Sequence, residues 1–185
     1  MKISAAIAAA FLLCTNVVAG ELDLSFNSDA FRFFYIHDLA NNDLAWDAGL
    51  LNNSDKGYVV NVSLYLTGFA SDGTNPLQAA IGGRTGIVSG DDSGQSGAPI
   101  ALGGYVKYTF PELNRLSVRV DGYFAPDILT LSDLDKYQDY TLRVGYNILQ
   151  DADLYIGARY VKGDFDNNTS QRFDNGLHLG VDIRF

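Results

Sequence analysis

Alternation of apolar and polar residues with a period of two is the feature that most constrains the fold of this chain. Between Tyr58 and Thr67, the even positions are all apolar or aromatic, whereas the odd positions include Asn61, Ser63 and Thr67. Successive side chains of a strand point to opposite faces of a sheet, so this segment is predicted to be a strand with one apolar and one mixed face. Clusters of Asn, Asp, Gly and Ser separate it from seven similar segments, which begin near Leu44, Leu77, Ile100, Leu116, Tyr140, Leu154 and Leu177. Eight short antiparallel strands are predicted in this way.

The N-terminal region adds a predicted hairpin. A turn at Ser28-Asp29 would pair Phe26 with Phe31, and on the same face Leu24 with Phe33 and Leu22 with Tyr35. The predicted total is therefore ten strands. Eight strands plus a small N-terminal hairpin is the alternative, because the segment 21–27 is shorter than the roughly 9 to 11 residues of a membrane-spanning strand.

Residues 1–20 have the composition of a signal peptide. Met1-Lys2 gives a positive start, Ile3 to Cys14 an apolar stretch, and Val17 to Gly20 a cleavage site of small residues. The mature chain is then a single domain, residues 21–185. Its 22 Asp+Glu, against 13 Lys+Arg in the whole chain, argue against a nucleic-acid partner. No later segment approaches the roughly 20 apolar residues of a membrane helix, so a helical membrane protein is excluded.

The direction of the apolar face decides between a soluble and a membrane barrel, and four observations favour the membrane. Basic residues and glycines share the polar face near the middle of the strands, as in a narrow lumen, and aromatic residues lie near strand ends, as in aromatic girdles. Three long connections (90–98, 125–139 and 162–175) alternate with tight turns at 111–114 and 150–151. The chain also ends on Phe185 inside its last strand. The predicted fold is an all-β, antiparallel, up-and-down transmembrane β-barrel of about ten strands.

Five short strings carry a resemblance to a known family: residues 21–29 (ELDLSFNSD), 101–105 (ALGGY), 123–127 (YFAPD), 146–153 (YNILQDAD) and 174–178 (DNGLH). Over nearly the whole mature chain the sequence resembles the YfaZ-type outer-membrane proteins. The resemblance implies a barrel in the bacterial outer membrane, sometimes described as a porin, with no established substrate. The terminal Phe185 likewise resembles the signal by which the barrel assembly machinery recognises the last strand.

Turning the polar face inward predicts a network of charges in the lumen. Its members are Arg32, Arg84, Lys107, Arg119, Arg143, Arg159, Arg184, Asp23, Asp47, Asp121 and Asp182. Two interpretations stay open. The charges could fill a small barrel as ion pairs, since ten strands leave little free interior. Alternatively, they could line a narrow channel whose excess of arginine favours anions.

The predicted outer loops are acidic, and a solvated, self-repelling surface is expected for them. No specific metal site is expected. Asp164 and Asp166 are the best candidates for loose contact with divalent cations beside lipopolysaccharide, but Thr169 stands where a calcium loop needs Gly. With only His37 and His178 available and no convincing nucleophile beside them, no enzymatic activity and no cofactor are expected.

The sequence therefore predicts a small outer-membrane barrel with two alternative roles. One is a narrow porin-like channel with an Arg-rich lumen and an unknown solute. The other is a closed barrel with a structural or surface-interaction role through its acidic outer loops. The expected partners are outer-membrane lipid, lipopolysaccharide and the barrel assembly machinery.

Overall fold

The computed structural model describes residues 20–39, 43–69, 76–91, 94–166 and 168–185. The predicted signal peptide lies outside the described residues except for Gly20. Eleven strands are described: β1 Glu21–Phe26, β2 Ala30–Leu39, β3 Leu44–Asn53, β4 Gly57–Phe69, β5 Leu77–Gly90, β6 Ser96–Thr109, β7 Leu116–Ala125, β8 Thr130–Ser132, β9 Leu134–Leu149, β10 Ala152–Phe165 and β11 Thr169–Arg184. Short 3-10 turns occupy Pro111–Leu113 and Asp127–Leu129. None of the helical turns in the described ranges has the length and hydropathy needed to cross a bilayer.

Ten of these strands form a closed barrel. Each pairs antiparallel with the next long strand along the chain, and β1 pairs with β11 to complete the circle. The short β8 stands apart from this order and pairs only with residues 97–99 of β6. Closure gives each of the ten barrel strands two neighbours, which a sheet in hydrocarbon requires for its backbone N–H and C=O groups. The predicted ten-strand up-and-down barrel is confirmed.

The even strand number brings the two ends of the described chain together. Gly20 and Phe185 exchange two backbone hydrogen bonds of 2.8 and 2.9 Å. We call this end of the barrel the termini end and the opposite one the distal end. Strands β1, β3, β5, β7 and β10 run from the termini end to the distal end, and β2, β4, β6, β9 and β11 return.

The short strand β1 is a full member of the barrel. All six of its residues pair with both β2 and β11, and the predicted hairpin register, with Phe26 opposite Phe31, is confirmed. The strand ends where Asn27 Oδ1 accepts hydrogen bonds from the backbone N–H groups of Asp29 and Ala30, at 3.0 and 2.7 Å. This turn is the local reason why β1 stops short of the predicted spanning length.

The long distal loops predicted from the sequence are mostly strand. Strand β9 begins at Leu134 and β11 at Thr169, so only residues 166–168 connect β10 to β11. The prediction of long loops at 125–139 and 162–175 is thus wrong over much of their length. Their many aspartates obscured the alternation, although Tyr137, Phe165 and Phe173 point inward and are almost completely buried.

The exterior of the barrel is apolar. Along β4, the outward Val60, Val62 and Leu64 are 41, 48 and 54% exposed, whereas the intervening Ser63 is 1% exposed. The same holds around the barrel at outward positions that include Ile81, Leu102, Val120, Leu142, Ile156 and Leu179. A soluble barrel would place its apolar face inside, so this surface is built to face hydrocarbon. The chain is a transmembrane barrel.

Candidate functional site in the barrel interior

The distal end of the lumen is filled by apolar side chains. This apolar plug consists of Ala30, Leu51, Val59, Val88, Ala101, Tyr123, Ala125, Leu134, Tyr137, Val161, Phe165 and Phe173, all of them buried. Every barrel strand except β1 contributes at least one of them. They occupy inward positions near the distal ends of their strands, which is where a water-filled pore would need polar groups.

A β-bulge places the largest aromatic residue of β11 in the plug. Val161 of β10 lies opposite Asp174, but the next residue, Lys162, lies opposite Arg172, so Phe173 has no cross-strand partner. An extra residue shifts the alternation of a strand by one. Phe173 and Asp174 are therefore buried in succession, at 0 and 5% exposure, where regular alternation would turn one of them outward.

Arg84 connects the plug to the charged part of the lumen. Its Nη1 donates to Asp139 Oδ2 at 2.7 Å, and its Nε donates to Ser63 Oγ at 2.8 Å. The Ser63 hydroxyl in turn donates to Asp47 Oδ1 at 2.7 Å, and Arg84 Nη2 lies 3.7 Å from Asp47 Oδ2. The guanidinium also lies over the ring of Tyr123, 3.7 Å from its centroid. A buried arginine thus has two carboxylates and an aromatic face to offset its desolvation.

A second group of ion pairs lies along β1, β7 and β9. Asp23 accepts hydrogen bonds from Arg143 Nη1 and from the hydroxyl of Tyr155. Arg119 donates from Nε to Asp121 Oδ1 at 2.9 Å, while its guanidinium lies 3.7 Å from the ring centroid of Tyr105. The two pairs approach each other, since Arg143 Nε is 3.8 Å from Asp121 Oδ2. Charges of both signs thereby alternate around this part of the lumen.

Arg159 and Arg32 complete the middle of the lumen. Arg159 donates from Nε to Asp174 Oδ2 at 2.6 Å and from Nη1 to Ser25 Oγ at 3.0 Å. Arg32 Nη1 donates to Thr141 Oγ1 at 3.1 Å, and its guanidinium lies 4.4 Å from the ring centroid of Phe34. His178 packs edge-on against the ring of Tyr155, with 5.8 Å between the ring centroids.

The termini end of the lumen is polar and partly open. Arg184 holds Asp153 in a two-point contact, from Nη1 to Oδ2 at 2.9 Å and from Nη2 to Oδ1 at 3.2 Å. A cavity of about 20 Å³ lies beside them, lined by residues that include Lys107, Arg119 and Asp182. Asp182 is 7% exposed, and its Oδ1 has no hydrogen-bond partner among the described residues.

All eleven charged residues that the sequence placed in the lumen lie at inward strand positions in the structure. Three aspartates that the prediction left out lie there too: Asp139 beside Arg84, Asp153 beside Arg184 and Asp174 beside Arg159. They offset the expected excess of positive charge in full, because the seven Lys and Arg side chains of the set now face seven aspartates. Extending the alternation of β9 and β10 would have found Asp139 and Asp153, which are in phase with Arg143 and Arg159. Asp174 could not be found in this way, because the bulge at Phe173 changes the phase.

The remaining candidate residues lie apart from this network. Asp164 is 2.6 Å from Lys162 Nζ and accepts a hydrogen bond of 2.6 Å from Ser170 Oγ. Within the described ranges, no three His, Cys, Asp or Glu side chains are grouped so as to hold a metal ion. His37 lies on the exterior near the termini end, with Tyr35 and Trp46 within 6.5 Å of its ring centroid. This cluster has the composition of an interfacial aromatic girdle.

An antiparallel barrel with an apolar exterior and a filled, charged interior defines a small membrane-spanning β-barrel protein. The whole chain, residues 1–185, matches the family described as YfaZ precursor, and the chain belongs to this family. The resemblance found in the sequence is thereby confirmed. A precursor loses a leader on export, and closed barrels of this kind are built for outer membranes, so the protein is an exported outer-membrane protein.

Two solved structures show how far the similarity extends. The outer membrane channel DcaP of Acinetobacter baumannii is 17% identical with a TM-score of 0.48, and the match covers 88% of this chain and 54% of DcaP. The KdgM porin is 12% identical with a TM-score of 0.46, and the match covers 91% of this chain and 99% of that porin. The chain thus spans about half the length of DcaP. No protein with a curated description matches the sequence.

Proposed function

We propose that this protein is a closed outer-membrane barrel that does not conduct ions in the conformation described, and that it acts through its surface. The observation that carries this proposal is the apolar plug. Side chains from nine of the ten barrel strands meet at the distal end of the lumen, and Val59, Val88, Phe165 and Phe173 are each at most 2% exposed.

A permeating ion would lose its hydration water in the plug. An ion in the lumen must exchange its water for groups of the wall, and among the twelve plug side chains only Tyr123 and Tyr137 carry a polar atom, one hydroxyl each. Below the plug, the guanidinium of Arg84 is held by Asp139, Ser63 and the Tyr123 ring, so it is not free to coordinate an ion. Two successive barriers therefore oppose permeation.

The surface role rests on the distal rim. Exposed aspartates are present at residues 29, 55, 91, 127, 133 and 166, all at or beside distal turns. Divalent cations bind clustered carboxylate and phosphate oxygens. We therefore assign the rim to contact with lipopolysaccharide through bridging divalent cations.

Single-channel recording in planar bilayers tests the closed barrel. The mature chain, shown to be folded by its resistance to unfolding in detergent before heating, is expected to be silent. The double substitution Tyr137→Ser with Phe173→Ser removes two large plug residues and is expected to produce discrete current steps. Phe26→Ser with Leu177→Ser, on the exterior, is the matched control and should stay silent. Current steps from the unaltered chain would refute the proposal, and a reversal potential favouring anions would then support the narrow channel.

The rim is tested by binding rather than by current. Asp127→Asn with Asp133→Asn should weaken Mg²⁺-dependent association of the folded protein with lipopolysaccharide vesicles. Asp38→Asn with Asp43→Asn, at the termini end, is the control and should leave the association unchanged. Equal binding by all three proteins would remove the rim from the proposal while leaving the closed barrel intact.

A further inference from the structure

Four buried polar atoms without a hydrogen-bond partner belong to residues that line one cavity in the middle of the lumen. They are Arg159 Nη2, Arg143 Nε, His178 Nδ1 and Asp121 Oδ2, counted among the described residues. Buried polar groups in folded proteins are nearly always satisfied by protein or by a bound species. Four such atoms around one space indicate that the space holds something.

The side chains of Arg159 and His178 are held in place by contacts with other residues of the barrel. Arg159 is 3% exposed, and its Nε and Nη1 already donate to Asp174 and Ser25, which leaves Nη2 for the cavity. His178 is also 3% exposed and is packed against Tyr155. Gly157 permits this packing, because a Cβ there would lie 2.6 Å from His178 Nε2. The site is thus built into the barrel and does not depend on flexible surface side chains.

The chemistry of the cavity favours an acceptor. Two of its four unpartnered atoms are guanidinium N–H donors, and the third nitrogen, His178 Nδ1, donates when it carries the imidazole proton. The wall carries the guanidinium groups of Arg32, Arg143 and Arg159 against the carboxylates of Asp23 and Asp121. The hydroxyl of Thr141 also lies in the wall. A cation would meet three guanidinium groups at close range, so it does not fit.

The volume limits the size of the occupant. The cavity measures about 20 Å³, which is room for about one water molecule or a monatomic ion of similar size. Phosphate, sulfate or a carboxylate would not fit. The cavity at the termini end shares the wall residues Arg143 and Tyr155 with this one, so the termini end is the side from which we infer entry. The apolar plug closes the other side.

We propose that this cavity is a binding site for a small monovalent anion of halide size, taken up from the termini end. Arg159 Nη2, Arg143 Nε and the His178 imidazole surround the anion, and Asp121 of β7 is tied to the site through its ion pair with Arg143, with 3.8 Å between Oδ2 and Nε. The site stabilises the folded barrel by joining β7, β9, β10 and β11 across the lumen. This inference goes beyond the proposed function and holds whether or not the barrel conducts.

Thermal unfolding of the folded mature chain in detergent micelles tests the site. Sodium gluconate is replaced stepwise by sodium chloride or sodium bromide at constant ionic strength, because gluconate is too large for the cavity. The midpoint temperature should rise by roughly 2–4 °C and then saturate, as expected for one ligand bound only by the folded state. A midpoint that is independent of the anion would overturn the proposal and leave water as the occupant.

Two variants separate binding from general salt effects. Arg159→Met should abolish the halide-dependent rise, whereas Arg184→Met, at the mouth of the barrel, should keep it. If Arg159→Met does not fold, Thr141→Val changes the same wall without altering its charge, and the halide concentration at half effect should rise severalfold. Equal halide responses in the parent and in Thr141→Val and Arg184→Met would count against the site. An anomalous bromide peak at the cavity in a crystal would support it directly, and solvent density without such a peak would refute it.

Discussion

The two ends of the lumen are built from the same ten strands but are filled in different ways. Strand β9 contributes Leu134 and Tyr137 to the apolar plug at the distal end and Arg143 to the ion pairs nearer the termini end. Strand β4 similarly contributes Val59 to the plug and Ser63 to the Arg84 network. The backbone geometry is common to both ends, so the inward residues alone decide that one end is sealed and the other is polar.

The apolar plug and the ion pairs also differ in how they stabilise the barrel. In the plug, each apolar group that is removed from water stabilises the folded barrel. The ion pairs gain little in net terms, because their attraction is largely offset by desolvation, but removing one partner leaves a costly buried charge. The plug is therefore expected to respond to substitutions in proportion to lost volume, and the charged region according to whether a partner is left unpaired.

The largest effect is expected from Arg84→Met, at the boundary between the two regions. It leaves the carboxylates of Asp47 and Asp139 buried beside an apolar side chain. The free energy of unfolding should fall by roughly 3–5 kcal/mol. Urea unfolding in micelles, followed by the fluorescence of the single Trp46, measures it.

The double variant Arg84→Met with Asp139→Asn sharpens this test. If the cost arises from an unpaired carboxylate, removing that charge should recover part of the lost stability. A double variant that loses the sum of the two single effects would show that the charges act independently. The distinction between the two ends of the lumen would then lose its energetic basis.

Phe173→Ala tests the plug and should lower the free energy of unfolding by about 3 kcal/mol, through lost apolar contact and the cavity that remains. Phe173 is completely buried in the lumen, whereas Phe26 on the exterior is 57% exposed. Phe26→Ala, the control, should cost distinctly less in the same urea titration. Similar losses for both would mean that the plug is no better packed than the lipid-facing surface.

The charged part of the lumen could be predicted from the sequence, but the apolar plug could not. The strand number, the hairpin register of Phe26 with Phe31 and the inward set of charges follow from alternation, because a period of two is a direct consequence of strand geometry. The apolar plug does not follow. Val59 and Leu51 look like irregularities on a mixed face, and only the closed barrel shows that such residues from nine strands meet.

The charged residues of the lumen could be predicted as a set, but which of them form ion pairs with each other could not. Partners such as Arg143 with Asp23 and Arg84 with Asp139 are 120 and 55 residues apart in sequence, and their contact depends on the curvature of the barrel. The bulge at Phe173 was likewise hidden, since nothing in the local sequence fixes where one extra residue enters a ladder. The local sequence pattern therefore predicts which residues face the lumen, whereas the contacts between them depend on how the barrel closes.

A smaller effect is expected from Gly180→Ala on β11. A Cβ at this position would overlap the ring of Tyr155 and lie 2.7 Å from Leu24 O, so both the Tyr155–Asp23 hydrogen bond and the β1–β11 seam must adjust. The expected loss is roughly 1–3 kcal/mol. Gly176→Ala, four residues earlier on the same strand, has open space around it and should be neutral or slightly stabilising in the same titration. Equal behaviour of the two variants would show that Tyr155 is not held against the β11 backbone.

The smallest effect is expected from Arg184→Met at the termini end. Its side chain is 34% exposed, so water screens the two-point contact with Asp153 and can solvate the carboxylate once the arginine is gone. The free energy of unfolding should change by less than about 1 kcal/mol, and the difference should shrink further as salt is raised. A loss as large as that of Arg84→Met would show that this mouth is closed to water. The termini end would then be a sealed interior like the distal one, and the contrast between the two ends of the lumen would disappear.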